Sequence, residues 1–92
     1  MAMIDIIIPN YNGATLLPTC LESLRQQTRR DFHITVVDDG SRDDSLALLA
    51  RDYPEVRVIA LAQNGGLTKA VNAGLAATNA EIVVLLNNDT EA

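Results

Sequence analysis

A three-layer α/β fold is predicted, in which a mostly parallel open sheet of about four strands carries helices on both faces. Three observations predict it. Short runs rich in Ile and Val alternate with segments whose apolar residues recur at three- and four-residue spacing. The run from His33 to Val37 lacks polar alternation, as expected of a strand covered on both faces. Each of the short runs also empties into turn formers, most clearly at Val36-Val37-Asp38-Asp39-Gly40-Ser41-Arg42-Asp43. Alternation of this kind implies parallel pairing through right-handed crossovers.

Taken in order, Ile4-Asp5-Ile6-Ile7-Ile8 is the first strand, closed by Pro9, and Pro9-Asn10-Tyr11-Asn12-Gly13 is a loop. Residues 15–27 form a helix that presents Leu16, Leu17, Cys20, Leu21 and Leu24 on one side and Glu22, Arg25 and Gln26 on the other. Pro18 falls in its first turn, where a missing amide hydrogen costs little. The second strand covers residues 32–37 and leads into the acidic turn, where Gly40 lets the backbone reverse. Ser41, with Asp44 three residues on, has the pattern of a helix start, the hydroxyl capping free amides and the acid facing the positive helix end.

The second helix runs over about 43–51 with Leu46, Leu49 and Ala50 inward, and Pro54 ends it. Residues 56–60 make a third strand, and Gln63-Asn64-Gly65-Gly66 turns into a third helix over 67–77. Its buried stripe is Leu67, Ala70, Val71, Gly74 and Leu75, the small members letting it lie close to the sheet, and Asn79 closes it in a left-handed conformation. The fourth strand, 82–86, discharges into Asn87-Asn88-Asp89-Thr90.

The 92 residues make one domain with a modest core, and with only Tyr11, Phe32 and Tyr53 as aromatics that core is aliphatic. A net charge of −5 excludes a nucleic-acid backbone as partner, since that binding needs clustered Lys and Arg. A mononucleotide is compatible, held by helix amino ends or through a divalent cation recruited by the acids. The single cysteine, Cys20, reads as a small buried hydrophobe; no intrachain disulfide exists, which fits a cytoplasmic setting. No apolar stretch is long enough to span a bilayer, and the start lacks the basic region of a signal peptide. A cytoplasmic location is expected, at the inner face of a membrane if a longer protein is so attached.

In a parallel sheet all carboxyl ends lie on one side, so the loops 9–13, 38–42, 60–66 and 87–89 share one rim. Tyr11 offers a flat face for a base, or packs on its own helix. Asp38 and Asp39 offer acceptors for ring or ribose hydrogens, or are a solvated turn. Asp89 offers a hard oxygen for a cation, or caps a further helix.

Order and spacing add to this. The pieces are Pro9-Asn10-Tyr11-Asn12, Gln27-Thr28, Val37-Asp38-Asp39-Gly40-Ser41-Arg42-Asp43-Asp44-Ser45, Asn64-Gly65-Gly66, Ala70-Val71-Asn72-Ala73-Gly74 and Leu85-Leu86-Asn87-Asn88-Asp89. In that order they resemble the nucleotide-sugar-binding half of the family 2 glycosyltransferases, with the Rossmann-like half of the GT-A fold, over essentially the whole chain. The resemblance implies an inverting transfer from a UDP-, GDP- or dTDP-sugar to a hydroxyl of a glycan or lipid-linked acceptor. It implies a donor site of Pro9, Tyr11, Asn12, Asp38, Asp39, Lys69 and Asn88, with Tyr11 stacking on the base, Asp39 hydrogen-bonding it and Asp38 toward the ribose. A Mg²⁺ or Mn²⁺ ion would be bound by Asp89 with Asn87, bridging to the diphosphate. Lys69 would approach a phosphate, its alternative being a solvent-facing helix lysine.

Two departures stand out. The family's metal motif usually begins with Asp, where this chain has Asn87, whose amide oxygen ligates without charge. The chain also ends just past that motif, so the acceptor half and its catalytic base are expected to lie outside it, and no catalytic residue is assigned. An alternative of another class is a non-catalytic module that forms homo-oligomers through an exposed sheet edge. A dinucleotide-binding oxidoreductase is disfavoured, because the first strand is not followed by its glycine fingerprint.

Overall fold

The computed structural model describes residues 3–27 and 31–89. The elements are β1 (Ile4–Asn10), α1 (Leu17–Arg25), β2 (Phe32–Asp38), α2 (Ser45–Asp52), β3 (Arg57–Ala60), α3 (Leu67–Ala77) and β4 (Ile82–Leu85). The sheet is parallel throughout, in the order β3-β2-β1-β4. The chain steps outward from β1 to β2 to β3 and then crosses back to the far side of β1. A right-handed crossover run in the opposite direction places its helix on the opposite face. Accordingly α1 and α2 share one face and α3 covers the other, giving the expected three layers.

The strand pleat divides the core. Ile6, Ile8 and Val36 point toward α1 and α2, where they meet Leu17, Cys20, Leu21, Leu24 and Leu49. Ile7 and Val37 point the other way, against Ala70 of α3. Gly74 makes that second contact close: a Cβ there would sit 2.7 Å from Ile7 Cγ2 and 3.1 Å from Val37 Cγ2. The last turn of α1 is tied to the α2–β3 connection by Arg25, whose guanidinium donates to both Glu55 carboxylate oxygens at 2.6 and 2.8 Å and lies 4.4 Å over the Tyr53 ring.

Several sequence expectations need correction. Pro9 does not close β1, which runs on to Asn10. The backbone groups of Ile7 face β4, the N–H of Leu86 just past that strand donating to Ile7 O, and Pro9 lies two residues on, with the same parity. The missing proline N–H therefore falls on the β4 side, where pairing stops, while pairing with β2 continues to Asn10 and Asp38.

Ser41 does not cap α2, because its hydroxyl donates to Asp38 Oδ1 at 2.6 Å and accepts Asn12 N–H at 2.8 Å. Asp43 takes over, its Oδ1 accepting the Ser45 N–H and hydroxyl at 2.9 and 2.6 Å. The helix starts later than expected and its buried positions become Ser45 and Leu49, leaving Leu46 and Ala50 exposed. Leu16 is likewise exposed, since it precedes the first turn of α1.

In α3 the bounds match the expectation, but the buried stripe is Ala70 and Gly74, while Leu67 and Leu75 are exposed and Val71 is half-buried. Close approach to the sheet selects the small side of the helix. Asn79 does not close α3 in a left-handed conformation: the chain turns extended at Thr78, and Arg57 Nη1 donates to Ala77 O at 3.1 Å. β3 and β4 are slightly shorter than expected, and Thr28 and Thr90 lie outside the described residues.

Candidate functional site

The reversal of strand order lies between β1 and β4, and in open α/β sheets ligands bind outside the strand carboxyl ends at such a point. A cleft of about 410 Å³ opens there. Pro9, Asn10 and Tyr11 line it from β1, Asp39 from the end of β2, and Asn87, Asn88 and Asp89 from beyond β4. Asn64, Gly66, Leu67 and Ala70 complete the wall from the entry and first turn of α3. Among the expected site residues, the structure therefore gathers Pro9, Tyr11, Asp39, Asn87, Asn88 and Asp89. It does not bring Asn12, Asp38 or Lys69 to the cleft wall.

The two paired acids have different positions. Asp38 is fully buried and its carboxylate is already engaged: Oδ1 accepts from Asn10 Nδ2 at 3.0 Å and Ser41 Oγ at 2.6 Å, and Oδ2 accepts Ser41 N–H at 2.9 Å. Such a carboxylate holds the turn together. Asp39 is 4% exposed, and its two oxygens accept Gly65 N–H and Gly66 N–H, each at 2.9 Å. It clamps the β3–α3 loop while lining the cleft, so its remaining lone pairs are the acid acceptors at this end. Gly40 permits the turn between them, with φ +75° and no room for a side chain, a Cβ lying 2.6 Å from Asn64 N.

Asn12 brackets the two loops, its N–H donating to Ser41 Oγ and its Oδ1 accepting Arg42 N–H at 2.8 Å. It adopts φ 51°, a left-handed conformation that asparagine tolerates. A second bracket runs from Ala14 N–H to Asp43 Oδ2 at 3.0 Å. Burial works to raise the Asp43 pKa, but the hydrogen bonds from Ser45 and from the Ala14 N–H outweigh it and hold the carboxyl below its usual range. Tyr11 is 46% exposed, leaving a ring face for a planar ligand. Lys69 is exposed, and its side chain lies across Gly65, where a Cβ would meet Lys69 Cδ at 2.6 Å.

At the β4 side the oxygen donors are the Asp89 carboxylate and the amides of Asn87 and Asn88. This is hard-oxygen chemistry suited to Mg²⁺ or Mn²⁺, with a single negative charge. No cluster of three or more His, Cys, Asp or Glu side chains occurs among the described residues. Cys20, fully buried in α1, lies beneath this loop with Sγ 3.9 Å from Asn87 O. Burial, and then the Asp89 charge, push its thiol pKa up, consistent with the packing role read from the sequence.

Asn10, which sequence reasoning passed over as a loop former, proves central: it is 2% exposed and also accepts from Asn88 Nδ2 at 2.8 Å. Its partners lie 28 and 78 residues away, so no local pattern signals it. The same holds for Gly13, whose Cβ would fall 2.2 Å from Asn10 Oδ1 and 2.3 Å from Asn88 Nδ2. No helix among the described residues is long and apolar enough to cross a membrane.

Known proteins resemble the chain in sequence and in fold. The chain is 35% identical over 95 residues to the teichoic acid poly(glycerol phosphate) polymerase of Staphylococcus epidermidis, covering 99% of this chain and 13% of that protein. A crystal structure of S. aureus TarS 1-349 in complex with UDP-GlcNAc matches with TM-score 0.86 and 29% identity, over 95% of this chain and 26% of that one. The mannosyltransferase PcManGT from Pyrobaculum calidifontis, in complex with GDP-Man and Mn²⁺, matches with TM-score 0.83 and 25% identity, over 96% and 28%. The chain thus spans less than a third of the length of each. The sequence profile of Glycosyl transferase family 2 matches residues 5–92, and the chain belongs to that family.

Proposed function

We propose that this chain is the donor-binding part of an inverting glycosyltransferase that uses a nucleoside-diphosphate sugar and a divalent cation. The observation that carries the reading is that Asp39 and Asp89, from the ends of β2 and β4, line one cleft with Tyr11 between β1 and α1. Tyr11 stacks on the base, a contact worth roughly 1–3 kcal/mol where bases meet aromatic rings. Asp39 accepts a ring or ribose hydrogen while its clamp on residues 65 and 66 fixes its orientation. Asp38 acts behind it, as the acceptor around which the turn is built, and Asn12 ties the two loops together.

Asp89, with the amide oxygen of Asn87, would hold a Mg²⁺ or Mn²⁺ ion, which neutralises the charge that develops on the leaving diphosphate. A diphosphate beside Asp39 and Asp89 would otherwise be repelled. The base that takes the acceptor proton is assigned to no residue of this chain. The binding of UDP-GlcNAc by TarS and of GDP-Man with Mn²⁺ by PcManGT supports the donor class.

Isothermal titration of UDP, GDP and dTDP with and without Mn²⁺ tests the reading. The expected result is binding of at least one of the three that depends on the metal. A folded protein that binds none of them with Mn²⁺ present would overturn it. A second reading, association through β4, is favoured by the exposure of Ile82, Val84 and Leu85 (45%, 41% and 52%) along that edge strand. Light scattering over a concentration series separates the two, since a strict monomer contradicts the second.

A further inference from the structure

The amide of Asn10 joins the acidic turn after β2 to the loop after β4, and each bond in that chain has only one permitted sense. Asp38, as a buried carboxylate, only accepts, so Asn10 must turn its NH₂ toward it, as the 3.0 Å bond from Nδ2 to Oδ1 shows. The Asn10 oxygen is then the end left for Asn88, and Asn88 must answer with its own NH₂, at 2.8 Å. The Asn88 oxygen is thereby the end left for the cleft that Asn88 lines.

We infer that Asn10 is a positioning residue that acts through Asn88, relaying the polarity of Asp38 so that the loop carrying Asn87 and Asp89 presents oxygen, not nitrogen, to a bound cation. This rests on the donor and metal reading above. Partners behind metal-binding groups fix ligand orientation and typically contribute a factor of about 10 to 100 in metal affinity. Gly13 belongs to the device, because any side chain there would be driven between the two amides.

The test is titration of whichever of UDP, GDP and dTDP binds the wild-type chain, in the presence of Mn²⁺ against the full 92-residue chain, with a Mn²⁺-free titration in parallel. Asn10→Leu keeps the branched shape and removes both polar atoms. It is expected to weaken the metal-dependent affinity about 10-fold and metal-free nucleotide binding by less. In an Asn88→Leu background the same substitution should add no further loss, because the relay is already cut; an equal loss in both backgrounds would overturn the inference. Gly13→Ala provides an independent route that keeps both amides but wedges a methyl group between them, and it keeps the test decisive if Asn10→Leu fails to fold. It should lower the Mn²⁺-dependent affinity alone, and wild-type affinity in folded Gly13→Ala protein would overturn the inference. Should none of UDP, GDP and dTDP bind the wild-type chain in a Mn²⁺-dependent way, the metal reading itself fails, which is a different outcome from a wild-type metal effect that ignores Asn10 and Gly13.

Discussion

The two ends of the cleft are built to different standards. At the β2 end, Asp38, Asp39, Ser41, Asn12 and Asp43 exchange hydrogen bonds with backbone amides of three loops. At the β4 end, the bonds seen among the described residues are the Leu86 N–H to Ile7 O bond just before the loop of residues 87–89, the Asn88 to Asn10 side-chain bond and the long Cys20 Sγ to Asn87 O contact at 3.9 Å. The lesson is that the end proposed for the base is organised before any ligand arrives. Among the described residues the end proposed for the metal has fewer such bonds, and a cation with its diphosphate would add to them.

The largest effect should come from breaking the organised end. Asp38→Ala leaves the Asn10 amide, the Ser41 N–H and the Ser41 hydroxyl without their acceptor in a fully buried position. A loss of about 3 kcal/mol is expected, read by urea denaturation. Next, Asp89→Ala should leave the denaturation midpoint where it is and reduce Mn²⁺-dependent UDP affinity about 100-fold, or roughly 2.7 kcal/mol. A comparable loss of stability in this variant would erase the contrast between the two ends.

Tyr11→Ala ranks third. With the ring 46% exposed, folding should change by no more than about 0.5 kcal/mol, while UDP affinity falls about 10-fold with or without metal. Asn87→Asp sharpens the comparison in the other direction: an added charge should raise Mn²⁺ affinity by several-fold, seen by loss of the free-ion signal in electron paramagnetic resonance.

The smallest effect is in the acid limb. The folded pKa of Asp43 is depressed, so its contribution is fully present above the ordinary value of 3.8 and is lost as pH falls through the lower folded value. Between about pH 5 and 2 the thermal midpoint of Asp43→Asn should therefore fall less steeply than that of wild type.

What the sequence disclosed follows the range of the interactions involved. The third helix was legible to its terminal residues because its period is local, and the shared rim followed once parallel pairing was inferred. The inward stripe of α3 was misread because hydrophobicity favours Leu67 and Leu75, whereas packing distance selects Ala70 and Gly74. The start of α2 was misread because Ser41 has the local pattern of a cap while Asp38 and Asn12 compete for its hydroxyl. Tyr11, Asp39 and Asp89 could be brought to one place by topology alone. That Asp38 faces inward while Asp39 lines the cleft is set by contacts with Asn10 and with residues 65 and 66, which no local spacing encodes.

The account stands most directly on where a cation sits once a nucleotide is bound. Mn²⁺ added in small amounts to isotope-labelled protein with UDP should broaden first the backbone amide signals of Asn87, Asn88 and Asp89, then those of Tyr11 and Gly66 across the cleft, leaving those of α2 sharp. Broadening centred on the Glu55 and Asp52 carboxylates instead, or none that depends on UDP, would contradict it.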